Sequence, residues 1–297
     1  MQAEHLELFV RLAQTHNISQ AGSEIGVSPA VASSYIHKLE KELGVQLVHR
    51  TTRKVSLSEA GHGFLPYAET VLSSMDAARA AVGAGDASPT GTLRITAPAS
   101  FGRMHLMPGL NKFLSKFPNL NIDLRLSDTI MDLVEGGFDV AIRNSSLKDS
   151  TMIARKLASD SRIVCASPDY LASHGEPVVP DDLKNHQCVS LLGLETWTFK
   201  TPKGQMSFKA KGRFRTDNGD AIREACVNGL GITINSTWSA YQHLKQGQLV
   251  QILKNYPLVS ESAIWAVYPG TRMLAPKVRA FIDFFSGYFG EVPYWEQ

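Results

Sequence analysis

Positively charged side chains concentrate between residues 37 and 54. The stretch holds five lysines and arginines against two glutamates, so its local net charge is +3 while the whole chain carries +2. The basic residues are Lys38, Lys41, Arg50, Arg53 and Lys54. Lysine and arginine at this density bind anionic oxygens, above all those of phosphates.

Small and polar residues precede the basic ones on one predicted helix. Ser28 is a good N-cap and Pro29 suits the first helical turn, while Gly44 ends the pattern. The apolar inner stripe is Ala32, Ile36, Leu39 and Leu43. The outward face carries Ala30, Ser33, Ser34, His37, Lys38 and Lys41. Such a helix can approach base edges and phosphates closely, although a solvated helix face is the alternative interpretation.

The elements around this helix favour the first interpretation. Apolar spacing predicts a helix at the start of the chain. A short second helix is predicted at 20–25, with Ser19 as its N-cap and Gly26 at its end. Two short helices joined at a glycine form a helix-turn-helix. Strands at 45–48 and 54–57 then predict a hairpin with a basic tip. An arginine at such a tip can enter a narrow minor groove.

The stretch from Asn17 to Gly61 resembles the N-terminal domain of LysR-type transcriptional regulators. The matching positions are Ser19, Ala21, Val27, Ser28, Ser33, Ile36, Leu39, Glu40, Leu43, Gly44, Leu47, Arg50, Arg53, Val55, Leu57, Glu59, Ala60 and Gly61. The resemblance implies a winged helix-turn-helix, with the helix-turn-helix proper at about 18–37. The DNA-binding residues that we expect are Ser28, Pro29, Ala30, Ser33, Ser34, Tyr35, His37, Lys38, Arg50, Thr51, Arg53 and Lys54.

Two positions depart from the family's pattern. The family often has arginine where this chain has Ser34, and valine where it has Ala32. A base contact from an arginine therefore cannot be assumed at Ser34. We expect base preference to depend on Ser28, Pro29, Ala30, Tyr35 and the wing.

A long helix is predicted from the N-cap Ser58 to about Val82. Its apolar residues are spaced as a heptad seam: Phe64, Ala68, Val71, Met75, Ala78 and Val82. A core helix within one chain is the alternative. The family resemblance implies that the same helix of a second subunit packs there, which predicts a homodimer or homotetramer. Residues 83–91 are small and polar, as in a hinge.

From Thr92 onward, predicted strands alternate with helices in two sets. This pattern predicts two α/β lobes with mostly parallel sheets and crossovers near Asp160 and Trp265. The segments that resemble the periplasmic-binding-protein-like (type 2) effector domain of the LysR family are LRITAPASFGR, FPNLNIDLRLSD, GFDVAIR, NGLGITI and KVRAFIDFF.

The predicted fold is therefore multi-domain. An all-α winged helix-turn-helix (1–58) and a linker helix with hinge (59–91) precede a two-lobed α/β effector domain (92–297). Within the last, we expect lobe I at 92–161 and 266–297 and lobe II at 162–265.

Ligands of open α/β lobes bind beyond the carboxyl ends of strands, near helix N-termini. The effector-binding residues that this rule and the resemblance predict are Ser100, Phe101, Asp128, Arg143, Asn218 and Gly219. Arg143 could hold a carboxylate, or it could form a structural ion pair with Asp139 or Asp128. We expect a small organic anion, with Phe101 covering an apolar part of it.

Other function classes find little support. The sequence has no phosphate-binding P-loop, GxGxxG, HExxH or GxSxG motif, and its nine histidines are scattered, so we expect no cofactor, metal or enzymatic activity. A free solute-binding protein or an enzyme on the same lobes, and a redox-switched regulator, are the rival classes. Cys165, Cys188 and Cys226 are more consistent with buried thiols in a reducing compartment.

These expectations define the partners. They are double-stranded DNA, a small effector, a second copy of the chain and RNA polymerase. No apolar run is long enough for a membrane span and no basic leader precedes an apolar block, so we expect a cytoplasmic protein.

Overall fold

In the computed structural model, the described residues are 1–50, 55–81, 89–129, 133, 136–144, 152–260, 262–270 and 274–297. The chain divides into two compact units. The first is Met1–Thr92 with two short later segments. The second comprises Leu93–Pro118, Ile122–Thr271 and Ala280–Gln297.

Three helices form the centre of the first unit: α1 (Ala3–Thr15), α2 (Ile18–Glu24) and α3 (Pro29–Leu43). Gly22 on α2 lies so close to α3 that a Cβ there would stand 2.9 Å from the Cβ of Ala32. The close approach of the two helices therefore requires small side chains at both positions. Bulky apolar side chains fill the remaining core, among them the fully buried Phe9, Leu12, Ile36 and Leu39.

The predicted caps of these helices are confirmed at three positions and wrong at one. Ser28 accepts a hydrogen bond from the Val31 N–H, and Gly26 and Gly44 have positive φ, 76° and 69°. Helix α2 begins two residues earlier than predicted. Its N-cap is Asn17, whose Oδ1 lies 3.1 Å from the Gln20 nitrogen, and Ser19 lies inside the helix.

A short hairpin and a long helix follow: β1 (Val48–Arg50), β2 (Val55–Leu57) and α4 (Glu59–Ala81). The first strand begins three residues later than predicted, because Val45 still closes α3 through its N–H to the Glu40 carbonyl. Ser58 caps α4 as predicted, accepting from the Gly61 N–H at 3.0 Å. The wing-tip residues Thr51, Arg53 and Lys54, with Val82 and most of the predicted hinge, lie outside the described residues.

The second unit begins with an α/β segment. Its elements are β3 (Gly91–Ala97), α5 (Ala99–Phe101), a π-helical turn (Gly102–Leu106), α6 (Met107–Lys116), β4 (Leu120–Leu126), β5 (Val140–Arg143) and β6 (Met152–Ser159). Strand β6 was not predicted. The sequence between β4 and β5 predicts a helix at 130–135, and only Leu133 of these residues is described.

A second set of elements follows. It consists of β7 (Arg162–Ala166), α7 (Pro168–His174), a 3₁₀ turn (Pro180–Asn185), β8 (Ser190–Leu191), β9 (Thr196–Thr201), β10 (Gly204–Lys209), β11 (Arg215–Thr216), α8 (Gly219–Val227), β12 (Thr233–Ser236), α9 (Thr237–Lys245) and β13 (Val250–Ile252). The chain ends with β14 (Ala263–Pro269) and α10 (Pro276–Phe289). The hairpin β9–β10 and helix α9 were not predicted.

Two main sheets define two lobes. In lobe I the strand order is β4-β3-β5-β14-β6, and in lobe II it is β12-β7-β13. The sheets are less parallel than predicted, since β14 pairs antiparallel with β5 and β6, and β7 pairs antiparallel with both neighbours. Strand β14 pairs with lobe I from Ala263 onward, which places the return crossover before that residue. The domain boundaries stay a prediction. None of the described helices is long and apolar enough to span a membrane.

Candidate functional site

The exposed face of α3 carries most of the residues predicted to bind DNA. Most of these residues are exposed, whereas Ala32, Ile36 and Leu39 on the inner face of the helix are buried. The exposed members are Ser28, Pro29, Ala30, Ser34, His37 and Lys38, and Ser33 is half-buried. Tyr35 differs from them, because its ring is half-buried at the core and lies 4.7 Å from the ring of His5. It offers less surface to DNA than predicted.

Glu40 anchors the wing next to this helix. Its Oε1 accepts hydrogen bonds from the backbone nitrogens of Leu47 (2.9 Å) and Val48 (3.1 Å). The hairpin then pairs Val48 with Leu57 and Arg50 with Val55. Glu40, one of the two glutamates that lower the net charge of residues 37–54, thus stabilises the start of the wing. The backbone of Arg50 lies in β1, at the base of the tip.

The predicted seam on helix α4 has a buried first part and an exposed second part. Phe64 and Ala68 pack in the core of their own unit, and Ala68 is fully buried. Val71 and Met75 are 40% and 37% exposed, and Tyr67 is 70% exposed. Only the later part of the seam is therefore available to a second helix.

A cavity of about 410 Å³ lies between the two lobes. Lobe II contributes a largely apolar wall and lobe I a more polar one. The apolar lining includes Val189, Leu191, Leu192, Leu194, Trp197, Ile222 and Ile234. The polar lining includes Ser100, Ser127, Asp128, Thr129, Arg143, Asn144, Arg162, Asp217, Asn235, Ser236 and Ser239. The site suits a small molecule with one polar end and one apolar end.

Four of the six predicted effector-binding residues line this cavity: Ser100, Asp128, Arg143 and Gly219. Asn218 stands beside it and donates from Nδ2 to the Asp128 carboxylate at 2.8 Å. Ser100 is 2% exposed, and its hydroxyl has no hydrogen-bond partner among the described residues. A buried hydroxyl without a partner is costly, which makes it a natural contact for a polar ligand.

Phe101 is not a wall of the cavity, and this expectation is wrong. Its ring is fully buried and lies 5.0 Å from the ring of His105 and 5.3 Å from that of Trp238. It also lies 5.9 Å from the ring of Phe289 and 6.1 Å from that of Trp295, so it belongs to an aromatic cluster. Burial lowers the pKa of His105 to about 4, against an opposing hydrogen bond to the Trp238 carbonyl, so the cluster holds a neutral imidazole.

The helix N-termini are also less open to an anion than predicted. The Ala99 N–H at the start of α5 donates to Asp128 Oδ1 at 2.9 Å. The Ala221 N–H at the start of α8 donates to Asn218 Oδ1 at 2.9 Å. Since side chains already satisfy these two donors, neither is available to an anionic ligand.

Arg162, at the start of β7, is a cavity residue that the sequence interpretation missed. Burial lowers the pKa of its guanidinium, as it does for Arg143. Asp160 lies behind it, where burial raises the pKa of the carboxyl to about 6 despite a hydrogen bond from Ser236. An arginine at the first position of an otherwise apolar strand, next to a predicted crossover, was the available signal.

The cysteines are buried as expected. Cys165 and Cys226 meet in the core of lobe II, with the Cys226 thiol 3.4 Å from the Cys165 carbonyl oxygen. A hydrogen bond to Cys165 and burial raise the pKa of Cys226, and burial raises the pKa of Cys188 to about 11. Thiols with raised pKa values are poor nucleophiles at neutral pH, which disfavours the redox-switch alternative.

Two family models match the chain. Residues 3–62 match the bacterial regulatory helix-turn-helix protein of the lysR family, and residues 86–290 match the LysR substrate binding domain. The second match alone covers more than half of the sequence. The chain belongs to the LysR family.

Similar proteins agree with this assignment to the LysR family. The transcriptional regulator DmlR of Escherichia coli (strain K12) is 32% identical over 290 residues, covering 96% of this chain and 94% of that protein. The solved structure of CrgA from Neisseria meningitidis is 28% identical with a TM-score of 0.63, covering 98% and 100% of the two chains. Full-length AphB from Vibrio cholerae is 30% identical with a TM-score of 0.60, covering 97% and 99%.

Membership of the LysR family confirms the predicted fold class and the coarse function. The chain is a DNA-binding transcriptional regulator with a helix-turn-helix domain and an effector-binding domain. Its relatives are named as transcriptional regulators and not as enzymes.

Proposed function

We propose that this regulator binds promoter DNA through α3 and the wing and responds to a small organic anion held between its two lobes. The observation that carries the effector proposal is the chemistry of the cavity. Two partly buried arginines, Arg143 and Arg162, line it together with the unpartnered hydroxyl of Ser100.

The arginines favour an anion for an energetic reason. Burial lowers the pKa of both guanidinium groups, at Arg162 against the opposing charge of Asp160, which means that burial disfavours their positive charge. A carboxylate or sulfonate in the cavity would stabilise these charges further through charge-assisted hydrogen bonds. The apolar wall of lobe II, including Leu191 and Trp197, would cover the remainder of the ligand.

The acidic side chains of the cavity do not cancel this argument. Both carboxylate oxygens of Asp128 already accept hydrogen bonds, from Ala99 and Asn218. Asp217 is exposed at the rim. It could attract an ammonium group, so amino acids belong in the set of compounds tested.

For the DNA-binding part, the exposed face of α3 supports major-groove contacts. Arg50, Thr51, Arg53 and Lys54 of the wing remain proposed contacts. We also propose that the exposed stripe of α4, which contains Val71 and Met75, joins two subunits in a homodimer or homotetramer. We further propose that the regulator acts on RNA polymerase in the cytoplasm. A ligand changes such a regulator only through its different affinities for two conformations.

Calorimetry with carboxylates, sulfonates, amino acids and neutral amide analogues tests the effector proposal. We expect anions to bind the wild type and Arg162→Gln to weaken binding by tenfold or more, because one charge-assisted contact contributes about 1.5–3 kcal/mol. Ser100→Ala should weaken binding about three- to tenfold. Arg143→Gln distinguishes a ligand clamp from a structural ion pair.

Arg125→Gln is the matched control, because Arg125 lies in the same lobe as Arg143 but is 61% exposed and outside the cavity lining. Its affinity should equal that of the wild type. Binding of neutral compounds only, or wild-type affinity in Arg162→Gln, Arg143→Gln and Ser100→Ala alike, would contradict the anion proposal.

A further inference from the structure

A second concentration of positive charge lies in lobe II, far along the sequence from the helix-turn-helix. Residues 196–216 contain six lysines and arginines and no aspartate or glutamate. All six are exposed: Lys200, Lys203, Lys209, Lys211, Arg213 and Arg215. In a chain whose total net charge is +2, this is a marked local excess.

The last four of these residues follow one another at every second position from the end of β10 to the start of β11, and we call them the basic ridge. The alternate residues all face inward. Phe208 and Ala210 pack in the core of lobe II, and Phe214 packs on Val189 and its neighbours. A Cβ on Gly212 would stand 1.9 Å from the Cys188 carbonyl oxygen. The basic residues between them, Lys209, Lys211, Arg213 and Arg215, are all exposed.

Backbone hydrogen bonds hold this segment against lobe II, with a bend at Arg213 between β10 and β11. The Ala210 nitrogen donates to the Glu195 carbonyl at 2.8 Å, and the Lys211 carbonyl accepts from Cys188 at 2.9 Å. The Thr216 carbonyl accepts from Leu192 at 2.8 Å. At about 3.3 Å per residue, a straight strand from Lys209 to Arg215 would be about 20 Å long, and the bend at Arg213 makes the ridge shorter than that.

The ridge is not neutralised by ion pairs within the chain. No carboxylate lies within 4.0 Å of its nitrogens in the part of the chain that the structure describes. The acid that it influences is Glu195. Hydrogen bonds from backbone N–H groups, including that of Gly193, lower the pKa of Glu195, and Arg215 and Lys209 lower it further.

The neighbouring outer face of the β9–β10 hairpin is entirely polar. Its cross-strand pairs are Thr196 with Lys209, Thr198 with Ser207, and Lys200 with Gln205. The hydroxyls of Thr198 and Ser207 lie 3.0 Å apart. This face therefore offers ammonium, hydroxyl and amide donors without an apolar side chain.

We propose that the basic ridge is a second DNA-binding surface that contacts the phosphate backbone of duplex DNA. A duplex presents one phosphate per about 3.4 Å of axis on each strand, so a ridge shorter than about 20 Å spans fewer than about six nucleotides of one strand. Lysine, arginine and hydroxyl donors are the groups that bind phosphates. The contacts carry no base information, so they add affinity without changing sequence preference.

An acidic protein surface is the other class of partner for such charge. Stable protein interfaces usually contain aromatic or apolar anchors and are depleted in lysine at their centre. The outer face of the hairpin and the basic ridge carry no such anchor. The composition therefore favours a nucleic-acid backbone.

The test measures how salt affects the binding of the full chain to a duplex of arbitrary sequence. The duplex is about 60 bp long, so that it is longer than the ridge. One variant neutralises three residues of the ridge: Lys209→Gln, Lys211→Gln and Arg213→Gln. The matched control neutralises three exposed lysines elsewhere in the second unit: Lys156→Gln, Lys245→Gln and Lys254→Gln. Both variants lose the same net charge. Arg215 is retained because it lies in the β8–β11 pair.

We expect the slope of log affinity against log salt to fall by about 2–3 in the ridge variant, since each phosphate contact contributes about 0.9. The control should keep the wild-type slope. Thermal unfolding of both variants should match the wild type, because the substituted side chains are exposed.

Three results would overturn the proposal. One is a wild-type slope in the ridge variant. Another is an equal fall in both variants, which would reflect net charge only. The third is unchanged DNA binding with a loss of transcription by added RNA polymerase, which would assign the ridge to an acidic protein surface.

Discussion

The side-chain amide of Asn218 donates a hydrogen bond to the carboxylate of Asp128, with Nδ2 and Oδ2 2.8 Å apart. The two residues are separated by 90 positions and belong to different lobes. The second oxygen of Asp128 accepts from the Ala99 N–H, and Oδ1 of Asn218 accepts from the Ala221 N–H. One pair of side chains thus connects the starts of two helices across the cavity.

Substitution of Asn218 should separate its two roles. Asn218→Ala removes both the cap of α8 and the bond to Asp128, and we expect the free energy of unfolding to fall by about 1–3 kcal/mol. Asn218→Ser keeps a capping oxygen but cannot reach Asp128, so it should regain about 1 kcal/mol. Urea unfolding measures both changes. Equal losses in the two variants would show that capping contributes nothing.

The cap of α2 gives a second prediction. Asn17→Ala should lower the free energy of unfolding by about 1 kcal/mol, because Asn17 satisfies the Gln20 N–H. Ser19→Ala is the matched control and should change it by less than about 0.5 kcal/mol, because Ser19 is exposed inside the helix. Thermal unfolding of both variants checks the expectation, and a larger effect at Ser19 would contradict it.

The exposed stripe of α4 predicts an effect on assembly. Val71→Glu should dissociate the oligomer, because it places charges opposite each other in an apolar contact between two copies of the helix. Val71→Ala should weaken assembly only mildly. Light scattering measures the mass of each variant. Full assembly and full DNA binding by Val71→Glu would show that this stripe does not join subunits.

Asp160 predicts a pH dependence. Its folded pKa is about 6 against an ordinary value of 3.8, so the folded state binds the proton more tightly. Stability from this group is present below pH 3.8 and is lost as the pH rises through 6, at a cost of about 3 kcal/mol in neutral solution.

Replacement of Asp160 should reveal this cost. Asp160→Asn should be about 1–3 kcal/mol more stable than the wild type near neutral pH, because loss of the charge beside Arg162 offsets part of the gain. Near pH 4 the two proteins should be alike. Asp283→Asn, at a carboxyl that is 62% exposed, should show little difference at either pH. A constant difference between Asp160→Asn and wild type across the range would contradict the assignment.

The amino-acid sequence by itself determined the elements whose signals are local. Ser28 with Pro29, Gly26 and Gly44 marked helix ends because a cap involves residues within one turn. The ordered motif from Asn17 to Gly61 indicated the family, which the matches to the helix-turn-helix and substrate-binding domains confirmed.

The tertiary structure decided which of several equivalent residues faces which partner. Apolar spacing put Ala68 and Val71 on one seam, but the helices beside α4 bury the first and leave the second exposed. Phe101 followed the expected strand, yet its ring is fully buried against His105 and Trp238. Arg162 reaches the cavity, and Asp128 meets Asn218, because packing brings together residues distant in the chain. Such contacts depend on the relative placement of whole elements, which neither periodicity nor capping encodes.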